Sequence, residues 1–415
     1  MFWIGVDTGG TFTDLVVMDD SHDIRYFKSL STPDTPGESV FNVLEIAAES
    51  HSLPLTEFLQ RTKQFVHGTT IVTNAVISGS HAKTALLTNS GYEDMLMFGL
   101  GSKGKPPDEM FRTHQDYPEP IIPRYLTFGI DGRINAEGEV DTPLDEDQIR
   151  DTADEIRHRG VESAAISFLW SISNPVHEDR AAEILSELVP ELHISIGHKI
   201  SSVIREYERT STCALDASIK PLFVEYLDRL VEKLEQNGYK GELLIVNSQG
   251  GVQNVEELTQ FPVFALKSGP SLGPVAGLTI SSQEDVGHNI IICDMGGTSF
   301  DASLVVDGNV QTTLMDQVGP FHYSFPTLDI QSIGAGGGSI AWVDSGGLVH
   351  VGPQSAGSSP GPACYMLGGK MPTVTDANVV LGYISPEYFM GGTMEISHEM
   401  AREAISEFVA SPMGV

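Results

Sequence analysis

At 415 residues the chain exceeds what one ordinary hydrophobic core holds, which predicts two domains. Hydrophobic residues make up 40% and aromatic residues 8%, enough to build packed cores, so disorder is excluded as the main state. Lys and Arg number 24 against 56 Asp and Glu, and the resulting charge of −32 repels phosphate backbones and anionic lipid, arguing against nucleic-acid and membrane-surface roles.

The three cysteines, Cys213, Cys293 and Cys364, are too few and too scattered for a disulfide framework or a zinc cluster. None of the thirteen His falls in an H-E-x-x-H spacing. The chain opens directly on a strand-like run, with no charged leader and no apolar stretch of membrane-spanning length, so the expected location is the cytoplasm. The acid excess, with only eleven Lys, fits an ordinary acidic cytosolic protein or one adapted to high salt. Adaptation predicts a melting temperature that rises steadily with KCl; a flat series contradicts it.

In chain order, Phe2 to Val6 and Leu15 to Met18 read as strands either side of a glycine turn. Gln64 to His67 is strand-like, and Gly68-Thr69-Thr70 is a turn and cap opening a helix through Val76. Lys83 to Thr88 is a strand, and 99–123 reads as a long Gly- and Pro-rich loop. Helices are expected at Leu144 to Arg159 and Pro175 to Leu188, with strands at Val161 to Leu169 and His193 to Ile196. Glu206 to Glu235 is mostly helical, with Pro221 as a break or new start. Leu243 to Val246 and Val263 to Leu266 read as strands, and a final helix covers about 398–410. This alternation indicates an α/β architecture, divided into 1–195 and 196–415.

One pattern occurs twice. Residues 7–14 read Asp-Thr-Gly-Gly-Thr-Phe-Thr-Asp and residues 294–301 read Asp-Met-Gly-Gly-Thr-Ser-Phe-Asp, 287 positions apart. Both fit D-x-G-G-T-x-x-D with apolar runs on each side, so each predicts strand, glycine turn, strand. Glycines let backbone N–H groups approach an anion, and Thr11 and Thr298 add hydroxyl donors. A carboxylate beside a phosphate is repulsive without a cation between them, so Asp7 and Asp294 imply a hydrated Mg²⁺. A second glycine cluster, Gly334-Ala335-Gly336-Gly337-Gly338-Ser339, lacks the last glycine and the distant acid of a dinucleotide fingerprint. It reads as a flexible loop or as a surface against which a base or ribose lies.

Two near-matches are rejected. Gly99 to Lys105 resembles a phosphate loop but has Pro106 where Ser or Thr must reach the metal. Gly269-Pro270-Ser271-Leu272-Gly273 matches G-x-S-x-G, but Pro270 and Pro274 crowd it, so a Gly/Pro turn is expected. Arg205 to Thr210 reads as a helix face with a Glu206–Arg209 ion pair.

Taken together, these motifs resemble the hydantoinase A/5-oxoprolinase family. The resemblance is carried by Gly5 to Asp14, His67 to Thr70 with Thr73-Asn74, Arg205 to Ser211, Asp294 to Ser299, Gly334 to Ala341, Ser355 to Gly357, Pro360 to Ala363 and Pro372 to Asn378. It implies an actin/Hsp70/sugar-kinase-like two-domain fold with ATP and Mg²⁺ in the cleft. Asp7 and Asp294 would organise the metal and the chemistry. Thr8, Gly9, Gly10, Thr11 and Asp14 would form the first phosphate hairpin, and Gly296, Gly297, Thr298 and Asp301 the second. Gly334, Gly336, Gly337 and Gly338 would lie by the adenosine. The implied reaction is ATP-dependent hydrolysis of a cyclic amide (5-oxoproline, a hydantoin or a related lactam), working with a B-type subunit. Alternatives are a nucleotide-binding subunit of an acetone or acetophenone carboxylase, or a nucleotide-binding module without catalysis. Gln331 stands where the family commonly has His, and Lys199 where an acid is usual. Family members run well past this length, so the chain is expected to end inside its second domain.

Overall fold

The computed structural model describes residues 1–32, 35–99, 119–284, 287–392 and 394–415. The rejected phosphate-loop match and most of the expected 99–123 loop lie outside the described residues.

A six-stranded sheet forms the centre of the first half, in the order Val252–Asn254, Glu242–Val246, Thr62–Thr69, Phe2–Thr8, Phe12–Asp19, Ile24–Leu30. Strands from both sides of residue 195 therefore share one sheet. Phe2–Thr8 lies parallel to Thr62–Thr69 and antiparallel to Phe12–Asp19. It alternates buried and half-buried residues, with Phe2, Ile4 and Val6 facing the core. Beside it, a four-stranded parallel sheet runs His193–Ile196, Ser163–Ile166, Thr84–Asn89, Thr127–Ile130. All four residues of Ser163–Ile166 are buried, as expected of a strand covered on both faces.

The helix Glu206–Gln236 packs on this four-stranded sheet and runs uninterrupted through Pro221. Proline removes one helical hydrogen bond, but every residue from Glu208 to Lys220 is buried, and tertiary packing overrides the local cost. The expected Glu206–Arg209 surface pair does not form. Arg209 is buried, and its guanidinium donates to the carbonyls of Val203 (2.9 Å) and Phe168 (3.0 Å).

Two more expectations fail around the helix Ser268–Glu284. Val263 to Leu266 is not a strand; Pro262–Ala265 is a short 3₁₀ turn. The Gly/Pro turn expected at 269–274 is the start of that helix. Pro270 sits in the first turn, where N–H groups have no helical partner, so only Pro274 costs a bond. Ser271 is fully buried, its Oγ 2.6 Å from the Ser268 carbonyl and 2.9 Å from that of Asn247. A fluorophosphonate probe should leave Ser271 unlabelled, and Ser271→Ala should leave ATP turnover intact; labelling contradicts both.

The second hairpin belongs to a smaller sheet, Ile290–Met295, Phe300–Val306 and Asn309–Val310, with Ile330–Ile333 also paired to Phe300–Val306. One continuous core extends from Phe2 to Phe325, and a small cluster around Cys364, Tyr365 and Val379 packs the far end. All three cysteines are free. Among the described residues no helix is long and apolar enough to cross a membrane.

Candidate functional site

Both D-x-G-G-T-x-x-D segments form the predicted hairpins, and their registers match. Asp7 pairs with Asp14 across the first, and Asp294 with Asp301 across the second. Like charges directly opposite each other in a sheet cost stability, so each hairpin holds an electrostatic conflict. The turns close through Gly9 N–H to the Phe12 carbonyl and Gly296 N–H to the Ser299 carbonyl, both 3.0 Å.

The two turns, remote in sequence, meet. Thr11 Oγ1 lies 3.3 Å from Thr298 Oγ1. A Cβ on Gly297 would sit 2.6 Å from Thr11 Oγ1, so only glycine permits this approach. Among the described residues, no acceptor takes the backbone N–H of Gly10, Thr11, Gly297 or Thr298. Four backbone donors without an acceptor therefore sit in two touching turns, the type of group an anion site uses.

Asp7 lies near the end of the strand Phe2–Thr8 that leads into the first turn. Its Oδ1 is buried without a hydrogen-bond partner. Gly68 and Gly269 crowd it so closely that a Cβ on either would stand 2.8 Å and 3.1 Å from that oxygen. Burial first, then the charges of Asp14 and Asp294, push the Asp7 pKa up to about 6, while Lys28 pulls the other way. Asp294 is also raised, by desolvation and then by Asp301 and Asp14. An orphaned buried carboxylate beside a second acid and unpaired N–H groups fits a cation with phosphate. Among the described residues no three His, Cys, Asp or Glu side chains form a metal cage. Mg²⁺ takes one or two carboxylates and fills its shell with water and phosphate oxygens, so Asp7 and Asp294 are the residues that would hold it.

The remaining expected residues lie on or beside the two hairpins. Thr8 is buried with its Oγ1 unpartnered. Asp14 accepts from Lys28 at 2.5 Å. Asp301 is buried and accepts from the Ser299 hydroxyl at 3.0 Å and from that of Ser332. The glycine cluster buttresses the second hairpin: the N–H groups of Gly336, Gly337 and Gly338 donate to the carbonyls of Thr298, Gly296 and Gly297 at 3.3, 2.9 and 2.6 Å. Gly334 stays exposed at its edge. Gln331 donates to Asp329 on the surface.

Lys28, the cation that touches both carboxylates electrostatically, was not singled out from the sequence. It lies in no motif; only its register opposite Asp14 brings it there. Gly269 was likewise assigned to a turn, although it packs the N-terminal end of a 17-residue helix against Asp7.

His67, opposite Val6 in the sheet, is fully buried with Nε2 2.7 Å from the Tyr226 hydroxyl. Burial pushes its pKa down to about 4. The unfolded chain then binds the extra proton, so stability is lost as pH falls from about 6.5 to about 4. His67→Gln should remove about 3 kcal/mol of that acid sensitivity in urea melts at stepped pH. An unchanged slope would show that His67 is not the group responsible.

Comparison with known proteins agrees with this architecture. The Hydantoinase/oxoprolinase N-terminal region model matches residues 3–189, and the Hydantoinase/oxoprolinase model matches residues 209–415. The chain belongs to the hydantoinase/oxoprolinase family. It is 36% identical over 414 residues to caprolactamase subunit alpha of Pseudomonas jessenii, covering 99% of this chain and 59% of that one. It is 36% identical over 426 residues to the acetophenone carboxylase gamma subunit of Aromatoleum aromaticum, covering 99% and 57%. Among solved structures, ATP-dependent caprolactamase from Pseudomonas jessenii superposes with a TM-score of 0.82 at 35% identity, and nucleotide-free acetone carboxylase with 0.83 at 28%. Each comparison covers 100% of this chain and 59% of the other. The fold is therefore the actin/Hsp70-like α/β fold of this family, and the chain spans about three-fifths of the length of these relatives.

Proposed function

We propose that this chain supplies the nucleotide site of an ATP-dependent amidohydrolase that opens a cyclic amide. The observation that carries the reading is the meeting of two glycine hairpins, with four unpaired N–H groups in their turns and an orphaned buried carboxylate on the first of them. A resonance-stabilised amide resists water near neutral pH. Its carbonyl oxygen attacks the γ-phosphorus of ATP and the bond to ADP breaks; the activated carbon takes up one water as the C–N bond opens, leaving an acyl phosphate and a free amine, and a second water cleaves the acyl phosphate to the carboxylate and phosphate. The balance is one lactam, one ATP and two waters giving one amino acid, ADP and phosphate.

In this reading Gly10, Thr11, Gly297 and Thr298 donate to phosphate oxygens, with Thr8, Gly9 and Gly296 shaping the turns. Asp7 and Asp294 would hold Mg²⁺, which when bound neutralises phosphate charge. Lys28, held by Asp14, offsets the remaining acidity. Asp301 and Gly334 to Gly338 fix the second hairpin, leaving its outer edge for the adenosine. The caprolactamase likeness supports a lactam substrate, and the subunit names of the relatives support a second, B-type subunit.

The test is an ATP-turnover screen of the chain co-expressed with its partner subunit, across lactams, hydantoins and ketones with labelled bicarbonate. A ring-opened product formed in step with ADP, and lost in Asp294→Ala, is the expected result. Label fixed into a ketone, with every cyclic amide inert, would assign a carboxylase instead, the activity named for two of the relatives. ATP binding without any turnover would leave a nucleotide-binding module.

A further inference from the structure

Each hairpin pairs with a third strand in the same register, and there the repeat breaks. In the first sheet Asp7 stands opposite Asp14, and Asp14 opposite Lys28. In the second, Asp294 stands opposite Asp301, and Asp301 opposite Ser332. Residues directly opposite each other share a face, with Cβ atoms about 5 Å apart. Each hairpin therefore carries a row of three side chains, Lys28-Asp14-Asp7 in one and Ser332-Asp301-Asp294 in the other. The first row holds two acids and an ammonium; the second holds two acids and a hydroxyl.

The ammonium is held from two sides. Lys28 Nζ donates to Asp14 Oδ1 at 2.5 Å and lies over the Phe12 ring, 4.6 Å from its centroid. Asp301 takes hydroxyl donors instead, from Ser299 and Ser332. The rows belong to one site, because Thr11 and Thr298 touch between their turns. Burial and neighbouring acids raise Asp7 and Asp294, and the Lys28 charge pulls both the other way. Among the described residues Lys28 is the only cation that acts on both. Four carboxylates thus share one ammonium. The side chains of Lys28 and Asp14 are 36% and 50% exposed, so the pair can part without stranding a buried charge.

We propose that Lys28 is a resident counter-ion that fills the cation's place in the nucleotide-free site, so that a divalent metal enters only together with the triphosphate. This rests on the nucleotide reading above. Without nucleotide, a divalent ion approaching Asp7 and Asp294 meets an ammonium already seated there, and like charges repel strongly where water is partly excluded. A bound triphosphate brings negative charge that outweighs the ammonium and offers it a new acceptor. A chain of charge −32 attracts divalent cations, and Lys28 keeps them out of this site until ATP arrives.

Mn²⁺ binding followed by electron paramagnetic resonance, with and without a non-hydrolysable ATP analogue, tests this in about 0.2 M KCl, which screens the exposed acids. The native chain should take up Mn²⁺ tightly only with the analogue. Lys28→Ser copies the second row into the first and should gain a nucleotide-free Mn²⁺ site at least about tenfold tighter than any in the native chain. Adding Asp294→Asn should remove the gained site, and Lys28→Arg, which keeps the charge, should behave as the native chain does. Equal nucleotide-free binding in Lys28→Ser and the native chain overturns the proposal, as does a gained site that survives Asp294→Asn. If neither protein takes up Mn²⁺ even with the analogue, the nucleotide reading itself fails and the proposal falls with it. If Lys28→Ser does not fold, Lys28→Gln, which keeps a donor for Asp14, carries the same prediction.

Discussion

Asp7→Asn should abolish nucleotide turnover and, in nucleotide-free protein, raise stability. The carboxylate sits against Gly68 and Gly269 with one oxygen lacking any partner, and desolvation with two neighbouring acids lifts its pKa to about 6. Its folded value is above its unfolded one, so the folded state binds the extra proton between about pH 4 and 6. The ionised side chain therefore costs stability above that window, and the cost fades as pH falls through it. At pH 7 in EDTA, Asn should stabilise by about 1–3 kcal/mol, and the difference should shrink towards pH 4. Turnover should fall by about three orders of magnitude or more, as expected when a group that organises charge at the reacting phosphate is removed. Urea melts and ADP release on the same preparation check both halves. A variant less stable than the parent at pH 7 would show that Asp7 is not strained.

Gly336→Ala should weaken nucleotide binding without touching the nucleotide. Its Cβ would sit 2.5 Å from the Thr298 carbonyl carbon and 2.6 Å from the nitrogens of Thr298 and Ser299. Those atoms are backbone, so the second hairpin itself must move. Overpacking of this kind costs about 1–3 kcal/mol. It also displaces the unpaired N–H groups of Gly297 and Thr298 by several tenths of an ångström, and a loss of about 10- to 100-fold in ATP affinity follows from misplaced donors. Gly296→Ala is the contrast for stability, since its Cβ meets only the Ser299 carbonyl at 3.7 Å. Calorimetric titration of ATP, with melting of both variants, checks the pair. Unchanged affinity in Gly336→Ala would detach the glycine cluster from the site.

Much of this site was readable because its chemistry is local. A D-x-G-G-T-x-x-D hairpin writes strand, turn and cross-strand acid into eight residues, and a repeated hairpin predicts paired domains. What escaped was set by tertiary packing. Pro221 stays inside a helix because the stretch before it, Glu208 to Lys220, is buried. Ser268–Glu284 is a helix although two prolines and three glycines argue against it locally; its role is to lie close over Ile292 and Asp7. Arg209 is buried on carbonyls rather than paired on a surface, which no i,i+3 spacing discloses. Lys28 reaches the cleft through strand register alone.

The central claim is that the two hairpins grip one triphosphate. A crystal structure with Mg²⁺ and a non-hydrolysable ATP analogue tests it most directly. The phosphates should lie between the N–H groups of Gly10 and Thr11 on one side and those of Gly297 and Thr298 on the other, above Asp7. An analogue bound with its phosphates elsewhere, leaving those four donors to water, would contradict the account.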